Sequence, residues 1–242
     1  MHSDTTPAQR IADLERQLAA ANQELESVLY AISHDLRAPL MAIGGFTDLL
    51  LEQPAGLDET RQRYLQRIRD GNIRLTRLLD GLLKLSRVGR EPLKPQPLDL
   101  VTLAQARFDK LRDNEPARVI VLDAPTSLPV HGDRLLVDML LDVLIENAWK
   151  FTGPKAQATI TLGLQGEAFF IKDNGVGFDN KQREKLCKPL QRLHTEKQFP
   201  GVGIGLAIAA KIIHLHRGRI WAEGAPDRGA TVYFTLELPQ GS

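Results

Sequence analysis

Ser33-His34-Asp35-Leu36-Arg37-Ala38-Pro39-Leu40 sets a histidine beside a carboxylate, with a proline five residues on, inside a long helical pattern. Two readings fit the stretch alone. In one, His34 is a nucleophile that accepts a phosphoryl group; in the other it is a surface histidine ahead of a helix kink. The flanking periodicity bears on both. Ile11, Leu14, Leu18, Ala21, Leu25, Val28 and Ile32 recur in steps of three and four, which predicts a coiled coil. One helix buries such a seam poorly, so a second copy of the chain is expected against it. From Val28 the apolar steps run to Ile32, Leu36 and Pro39 before Ile43, Phe46 and Leu50 resume the alternation. That eleven-residue spacing corresponds to about 3.67 residues per turn and relaxes left-handed supercoiling locally. His34 lies within this slip, roughly 200° round the helix from Ile32, so its ring is expected to face outward.

Outward from this stretch, Pro39 is expected to bend the helix just after His34. Gln53-Pro54-Ala55-Gly56 ends it, and Asp58 is a candidate N-cap for the next helix. Leu65, Ile68, Leu75, Leu79 and Leu82 line that second helix, with Leu78 and Leu85 widening the stripe. Two long helices with a short connection make an antiparallel hairpin, and two hairpins make a four-helix bundle. Residues 61–90 also hold nine Lys/Arg against Asp70 and Asp80, either a solvated face or a docking surface for an acidic partner.

Pro92, Pro95 and Pro97 predict a stiff linker, after which the pattern changes. Val119–Leu122 reads as a strand, and Asp133 caps an apolar helix running to about Phe151. Thr159–Leu164 and Ala168–Ile171 read as strands joined at Gln165-Gly166; a helix follows Gly205; Arg219–Glu223 and Thr231–Leu238 are strands around Asp227-Arg228-Gly229. Strands mixed with helices and paired partly as hairpins predict an α/β sandwich with helices on one face.

Composition sets outer bounds. Hydrophobic residues make up 43% and charged residues 25%, with a formal net charge of +1, which gives no bulk-charge argument for nucleic acid or an acidic membrane. Cys187 is the single cysteine, so no intrachain disulfide forms and a reducing compartment is the easier expectation. No apolar run approaches the ~20 residues of a membrane helix, and no signal peptide is visible. A soluble, cytoplasmic chain is expected.

Three clusters in the second half carry chemistry. Glu146-Asn147-Ala148-Trp149-Lys150-Phe151 offers an amide oxygen suited to Mg²⁺ and, one turn on, a cation suited to phosphate; the alternative is a plain polar helix end. Asp173-Asn174-Gly175-Val176-Gly177-Phe178 follows a strand, where a buried carboxylate accepts from an exocyclic amine such as adenine's and glycines let backbone approach a ligand; Asp-Asn-Gly is also a common turn. Gly201-Val202-Gly203-Ile204-Gly205-Leu206 opens a helix, where backbone N–H groups bind phosphate. It is neither a dinucleotide fingerprint nor a Walker motif. Residues 188–204 before it are long and polar, as suits a mobile lid.

Together, in this order, the motifs resemble the core of a two-component sensor histidine kinase. Residues 29–40 resemble its histidine box, Glu146–Thr152 the asparagine box and Asp173–Phe178 the first glycine box. Gln191-Arg192-Leu193-His194 with Phe199-Pro200-Gly201 resembles the lid, Gly201–Leu206 the second glycine box, and Ile220-Trp221-Ala222-Glu223-Gly224 the strand that follows. The match covers residues 10–239, and Glu24-Leu25-Glu26-Ser27 and Phe199-Pro200-Gly201 are most similar to phytochrome-like and PAS-linked members.

The resemblance implies a coiled coil over 1–28, a dimerisation and phosphotransfer hairpin over 29–90, a Pro-rich linker over 91–98, and a catalytic ATP-binding domain of Bergerat type over 99–240. It implies Mg·ATP, with Asp173 reading adenine, Asn147 on the metal, Lys150 and Arg192 near the phosphates, and Phe151, Gly175, Gly177, Gly201, Gly203, Gly205 and Leu206 lining the nucleotide site. The γ-phosphoryl group then goes to His34, with Asp35 holding one ring nitrogen, and on to an aspartate in the receiver domain of a response regulator. Burial of the apolar seams, rather than any motif, predicts a homodimer through residues 10–90, and the coiled coil is expected to continue from an upstream sensor domain outside this chain.

Three positions depart from the family pattern. Val143 stands where another asparagine is usual, Cys187-Lys188-Pro189-Leu190 replaces Phe-Glu-Pro-Phe in the lid, and Ala38 stands where strong phosphatases carry Thr or Asn. Val143 and the lid leave open a pseudokinase scaffold that dimerises and binds a partner without ATP turnover. A chaperone- or topoisomerase-like ATPase of the same fold is disfavoured by the histidine box.

Overall fold

The computed structural model describes residues 7–52, 57–195 and 198–237, in two compact units that divide between Arg87 and Val88. The first holds α1 (Pro7–Glu52) and α2 (Glu59–Arg87). Helix α1 is continuous through Pro39. Asp58 caps α2 as expected, its carboxylate accepting from the Arg61 N–H at 2.8 Å; Gln53–Gly56 lie outside the described residues.

Four contacts fix the hairpin's sense. The Arg87 guanidinium lies over the Tyr30 ring, Arg37 donates to Asp80 at 3.0 Å, Gly44 faces Asn72, and Arg69 pairs with Asp48 at 3.9 Å. As the α1 number rises the α2 number falls, so the helices are antiparallel. The seam buries Ser33, Thr47, Leu83 and Ser86, while Ile32, Leu36, Ile43, Phe46, Leu50, Ile68 and Leu75 stay exposed. The hairpin alone therefore leaves much of its apolar stripe in water.

The second unit contains a five-stranded sheet, with β2 (Ile120–Asp123), β4 (Ala158–Gln165), β5 (Ala168–Asp173), β7 (Gly229–Phe234) and β6 (Ile220–Ala225) side by side in that order. The β2–β4 pair is parallel and the others antiparallel. Alternation sorts the two faces. Ile160, Leu162, Ile171 and Phe234 are buried on the inner one, beneath α4 (Arg134–Phe151), against which α3 (Leu100–Asn114) and α5 (Gly205–Leu215) pack. The row Gly163, Phe170, Tyr233 and Trp221 crosses the outer face, with Lys172, Thr231 and Glu223 beside it. Helices on one face of a mixed sheet is the predicted sandwich.

The expected linker differs. Pro95–Asp99 forms β1, antiparallel to β3 (Pro129–Asp133) in a separate two-stranded sheet. Successive N–H groups of a strand point to opposite edges, so Pro95 and Pro97 remove donors from one edge only and leave Gln96 and Leu98 free to pair. Asp99 then caps α3 by accepting from the Val101 N–H at 2.9 Å. Asp133 caps α4 as predicted, accepting from Leu135 and Leu136. Fully buried His216 ties the end of α5 to that cap: its Nε2 accepts from the Asp133 N–H at 3.1 Å while Nδ1 faces the Ile212 carbonyl.

Candidate functional site: a buried carboxylate, paired cations and an exposed histidine

The last turn of α4 presents Asn147, Lys150 and Phe151. Thr152 closes the helix, donating to the Ala148 carbonyl, and Arg118 locks the closure by donating to the Trp149 carbonyl and the Thr152 hydroxyl while lying over the Trp149 ring. This fixes Lys150 Nζ 3.3 Å from Asn147 Oδ1 and over the Phe151 ring. Burial, and then the Arg192 charge nearby, push the Lys150 ammonium down to about 8. Two cations drawn together in a half-buried site are a place for an anion. Gly201 lies against Lys150 Nζ, and Gly205, the first residue of α5, lies against Val143 and Asn147. The α5 N-terminus has no side-chain cap, so its leading N–H groups remain available, and Leu206 follows as the second helical residue.

Asp173 ends β5 with 7% of its surface exposed. Its Oδ1 accepts from the Gly175 N–H at 2.9 Å and the Ala230 N–H at 3.3 Å. Burial raises its carboxyl to about 6, with the two N–H donors opposing the rise. A buried carboxylate partly supplied with donors has capacity left for an amine.

The glycines after it meet the chain's own backbone. A Cβ on Gly175 would collide with the Phe151 carbonyl, and one on Gly177 (φ 61°) with the Ala225 carbonyl. Their freedom serves contact of backbone with backbone, holding this turn to the end of α4 and to the β6–β7 turn. The Val176 N–H donates to the Phe151 carbonyl at 3.1 Å, and the Asp227 N–H to the Val176 carbonyl at 2.7 Å.

Beyond a short 3-10 helix (Asn180–Lys185), the lid segment folds back so that the Leu190 N–H donates to the Gly203 carbonyl at 2.9 Å. Gly203 has φ 74°. Arg192 Nη2 donates to the Phe199 carbonyl at 2.6 Å. His194 Nε2 lies 2.9 Å from the Gly177 carbonyl, and the rings of Phe151, His194 and Phe199 pack at 5.1–5.4 Å. Residues 196 and 197 lie outside the described residues.

In the hairpin, His34 and Asp35 have side chains 71% and 82% exposed, with Nδ1 3.2 Å from Asp35 Oδ1. The ring faces outward, as the helical period predicts. Asn147, Lys150, Phe151, Arg192, Gly201 and Gly205 converge on the α4 end, and Asp173, Gly175 and Gly177 share the turn beside it. Sequence reasoning placed His194 and Phe199 in the lid motif without giving either a role, and passed over the backbone N–H of Ala230.

Two family models match the chain: the His Kinase A (phospho-acceptor) domain over residues 24–91 and the histidine kinase-, DNA gyrase B-, and HSP90-like ATPase over residues 132–240. The chain belongs to the sensor histidine kinases. This histidine kinase core is 34% identical over 237 residues to the methanogenesis regulatory histidine kinase FilI of Methanothrix harundinacea, covering 96% of the chain and 26% of that protein. It is 33% identical over 239 residues to cyanobacterial phytochrome B of Nostoc, covering 95% of the chain and 32% of that protein. The chain thus spans about a quarter to a third of these relatives. Among solved structures, full-length ShkA in complex with AMPPNP superposes with a TM-score of 0.61 at 22% identity over 89% of this chain and 46% of that one. The histidine kinase AdeS of Acinetobacter baumannii gives 0.55 at 22% identity over 84% of this chain and 97% of that one. At that identity the likeness is one of fold. No described helix is long and apolar enough to cross a membrane.

Proposed function

We propose that the chain autophosphorylates His34 from ATP and passes the phosphoryl group to an aspartate on the receiver domain of a response regulator. The observation that carries the reading is the Lys150–Arg192 cation pair beneath the uncapped N-terminus of α5. Within the same unit, buried Asp173 offers an acceptor for adenine's amine. The ATP-binding relatives' printed name and the AMPPNP in ShkA agree with a nucleotide here.

The chemistry follows from the side chains. Asp35 faces Nδ1 of His34, so the ring keeps its proton there and presents the Nε2 lone pair. Nε2 bonds to the γ-phosphorus as the bond to the β-phosphate oxygen breaks. The Nδ1 proton goes to the Asp35 carboxylate, and ADP leaves. Lys150, Arg192 and the α5 N–H groups offset charge on the phosphates. Asn147 would hold a Mg²⁺ ion as one oxygen ligand, since this ion prefers hard oxygen donors and keeps several waters, and the ion would supply positive charge at the phosphates. The aspartate of the receiver domain then attacks the phosphohistidine, releasing His34.

The exposed apolar residues of the hairpin support a homodimer through residues 10–90, and the relatives' greater length supports an upstream sensor domain. Cytoplasmic location is part of the same proposal. Incubation with γ-labelled ATP and Mg²⁺ tests the reading: acid-labile, alkali-stable label is expected on the wild type and none on His34→Gln. A wild type that binds nucleotide but takes no label overturns the kinase reading. Absence of nucleotide binding by calorimetry leaves the scaffold suggested by Val143.

A further inference from the structure

The lid lacks the family's two aromatic positions, holding Cys187 and Leu190 there, with Leu190 exposed. It has a different attachment. His194 bridges from the lid to the first glycine turn through the Gly177 carbonyl at 2.9 Å, and its ring lies against both Phe151 and Phe199. A carbonyl only accepts, so Nε2 carries the proton. The turn it grips is rigid, because Gly177 touches the Ala225 backbone and Val176 is bonded on both sides, to Phe151 and Asp227. Phe199, buried to 9% exposure, is also the residue whose carbonyl receives Arg192. A chain of contacts therefore runs from Gly177 through His194 and Phe199 to the Arg192 guanidinium, and Arg192 is the cation that shares the phosphate cradle with Lys150.

We propose that His194 is a positioning residue that pins the lid to the first glycine turn and, through Phe199, holds Arg192 at the phosphates; this rests on the nucleotide reading above. Its imidazole does two jobs that different substitutions separate. His194→Phe keeps an aromatic ring between Phe151 and Phe199 but has no donor for the Gly177 carbonyl. His194→Gln keeps an N–H donor at comparable reach and gives up the ring.

The test has two arms. In nucleotide-free protein, hydrogen exchange of amides in residues 190–195 is expected to quicken about tenfold in His194→Phe, the effect of losing about 1.4 kcal/mol of local protection. His194→Gln is expected to recover part of that protection. Unchanged exchange in His194→Phe overturns the pin, whatever nucleotide does.

The second arm compares adenosine with ATP. Asp173 reaches adenine without the lid, so His194→Phe is expected to bind adenosine as the wild type does and ATP about tenfold more weakly. Combined with Arg192→Gln, it should lose no more ATP affinity than Arg192→Gln alone. Equal losses for adenosine and ATP, or additive losses in the double variant, overturn the route through Arg192 and leave His194 merely structural. A wild type that binds neither ligand refutes the nucleotide reading, and with it the Arg192 step.

Discussion

Acidification from pH 7.5 to pH 5 should weaken nucleotide binding through Asp173. The carboxyl is buried at the end of β5 and titrates at about 6 in the free protein, with burial raising it and the Gly175 and Ala230 N–H groups opposing the rise. A bound adenine amine donates to the ionised carboxylate, so the complex holds the group at a lower pKa than the free protein does. Binding accordingly releases a proton below pH 6. Affinity is full above that point and falls by about tenfold per pH unit beneath it. At pH 5 roughly ten carboxyls in eleven are protonated, which corresponds to about 1.4 kcal/mol of lost affinity.

Lys150 supplies the opposite limb. Its ammonium titrates at about 8 in the free protein, and a phosphate beside it raises that value, so affinity is full below pH 8 and falls above it. Titration of a fluorescent adenine nucleotide between pH 5 and pH 9 should give a plateau bounded near these values. Asp173→Asn is the control, since the nucleotide's own phosphate titration is common to both proteins. It turns an N–H donor toward the adenine amine, lowers affinity by about 1.5–3 kcal/mol, and should remove the acid limb. An acid limb of equal size in Asp173→Asn would refute the assignment of Asp173 to the nucleotide.

Other outcomes follow from single positions. Phe46 is 69% exposed on the hairpin, and Phe46→Glu should shift sedimentation at micromolar concentration from dimer to monomer; a wild-type monomer would refute the bundle. Gly229 has φ 86°, and a Cβ there would collide with the Asp173 carbonyl, so Gly229→Ala should destabilise the second unit by roughly 3 kcal/mol or more in urea unfolding. Val143→Asn should restore an amide beside Asn147 and tighten Mg·ATP binding by about 1 kcal/mol, roughly fivefold, measured by calorimetry with and without Mg²⁺.

The fold was legible wherever pattern and chemistry coincided. Asp58 and Asp133 announced helix starts because a short carboxylate before an apolar run has one favoured use, and the β4–β5 and β6–β7 hairpins showed in their turn residues. The segment 91–114 was not. Its prolines read as linker although two of them, spaced by one residue, are compatible with an edge strand. The stripe Leu100, Leu103, Ala104 and Phe108 of α3, buried in the structure, was too short to stand out after them. At the site, side chains with distinctive chemistry could be named in advance. The Ala230 N–H and the Gly177 and Phe151 carbonyls could not, since every residue carries the same backbone groups and only the fold selects which ones meet. At Gly175 and Gly177 the close approach seen in the structure is to the chain's own backbone.

Val143 gains a physical meaning from that same distinction. On the proposed nucleotide reading it leaves one side-chain oxygen fewer at the phosphate end of the site. In the structure it also lies against Gly205, with Cγ1 3.2 Å from where a Cβ would stand, so it seats the first residue of α5 on α4. The α5 N-terminus is thus anchored by an apolar contact, leaving its N–H groups uncapped. On the proposed nucleotide reading, one amide fewer leaves more of a bound triphosphate's charge to Lys150 and Arg192. Arg192 arrives on the lid segment, whereas Lys150 is fixed by the end of α4. If the nucleotide reading holds, the site then depends on how firmly the lid is held, which is what the His194 variants measure.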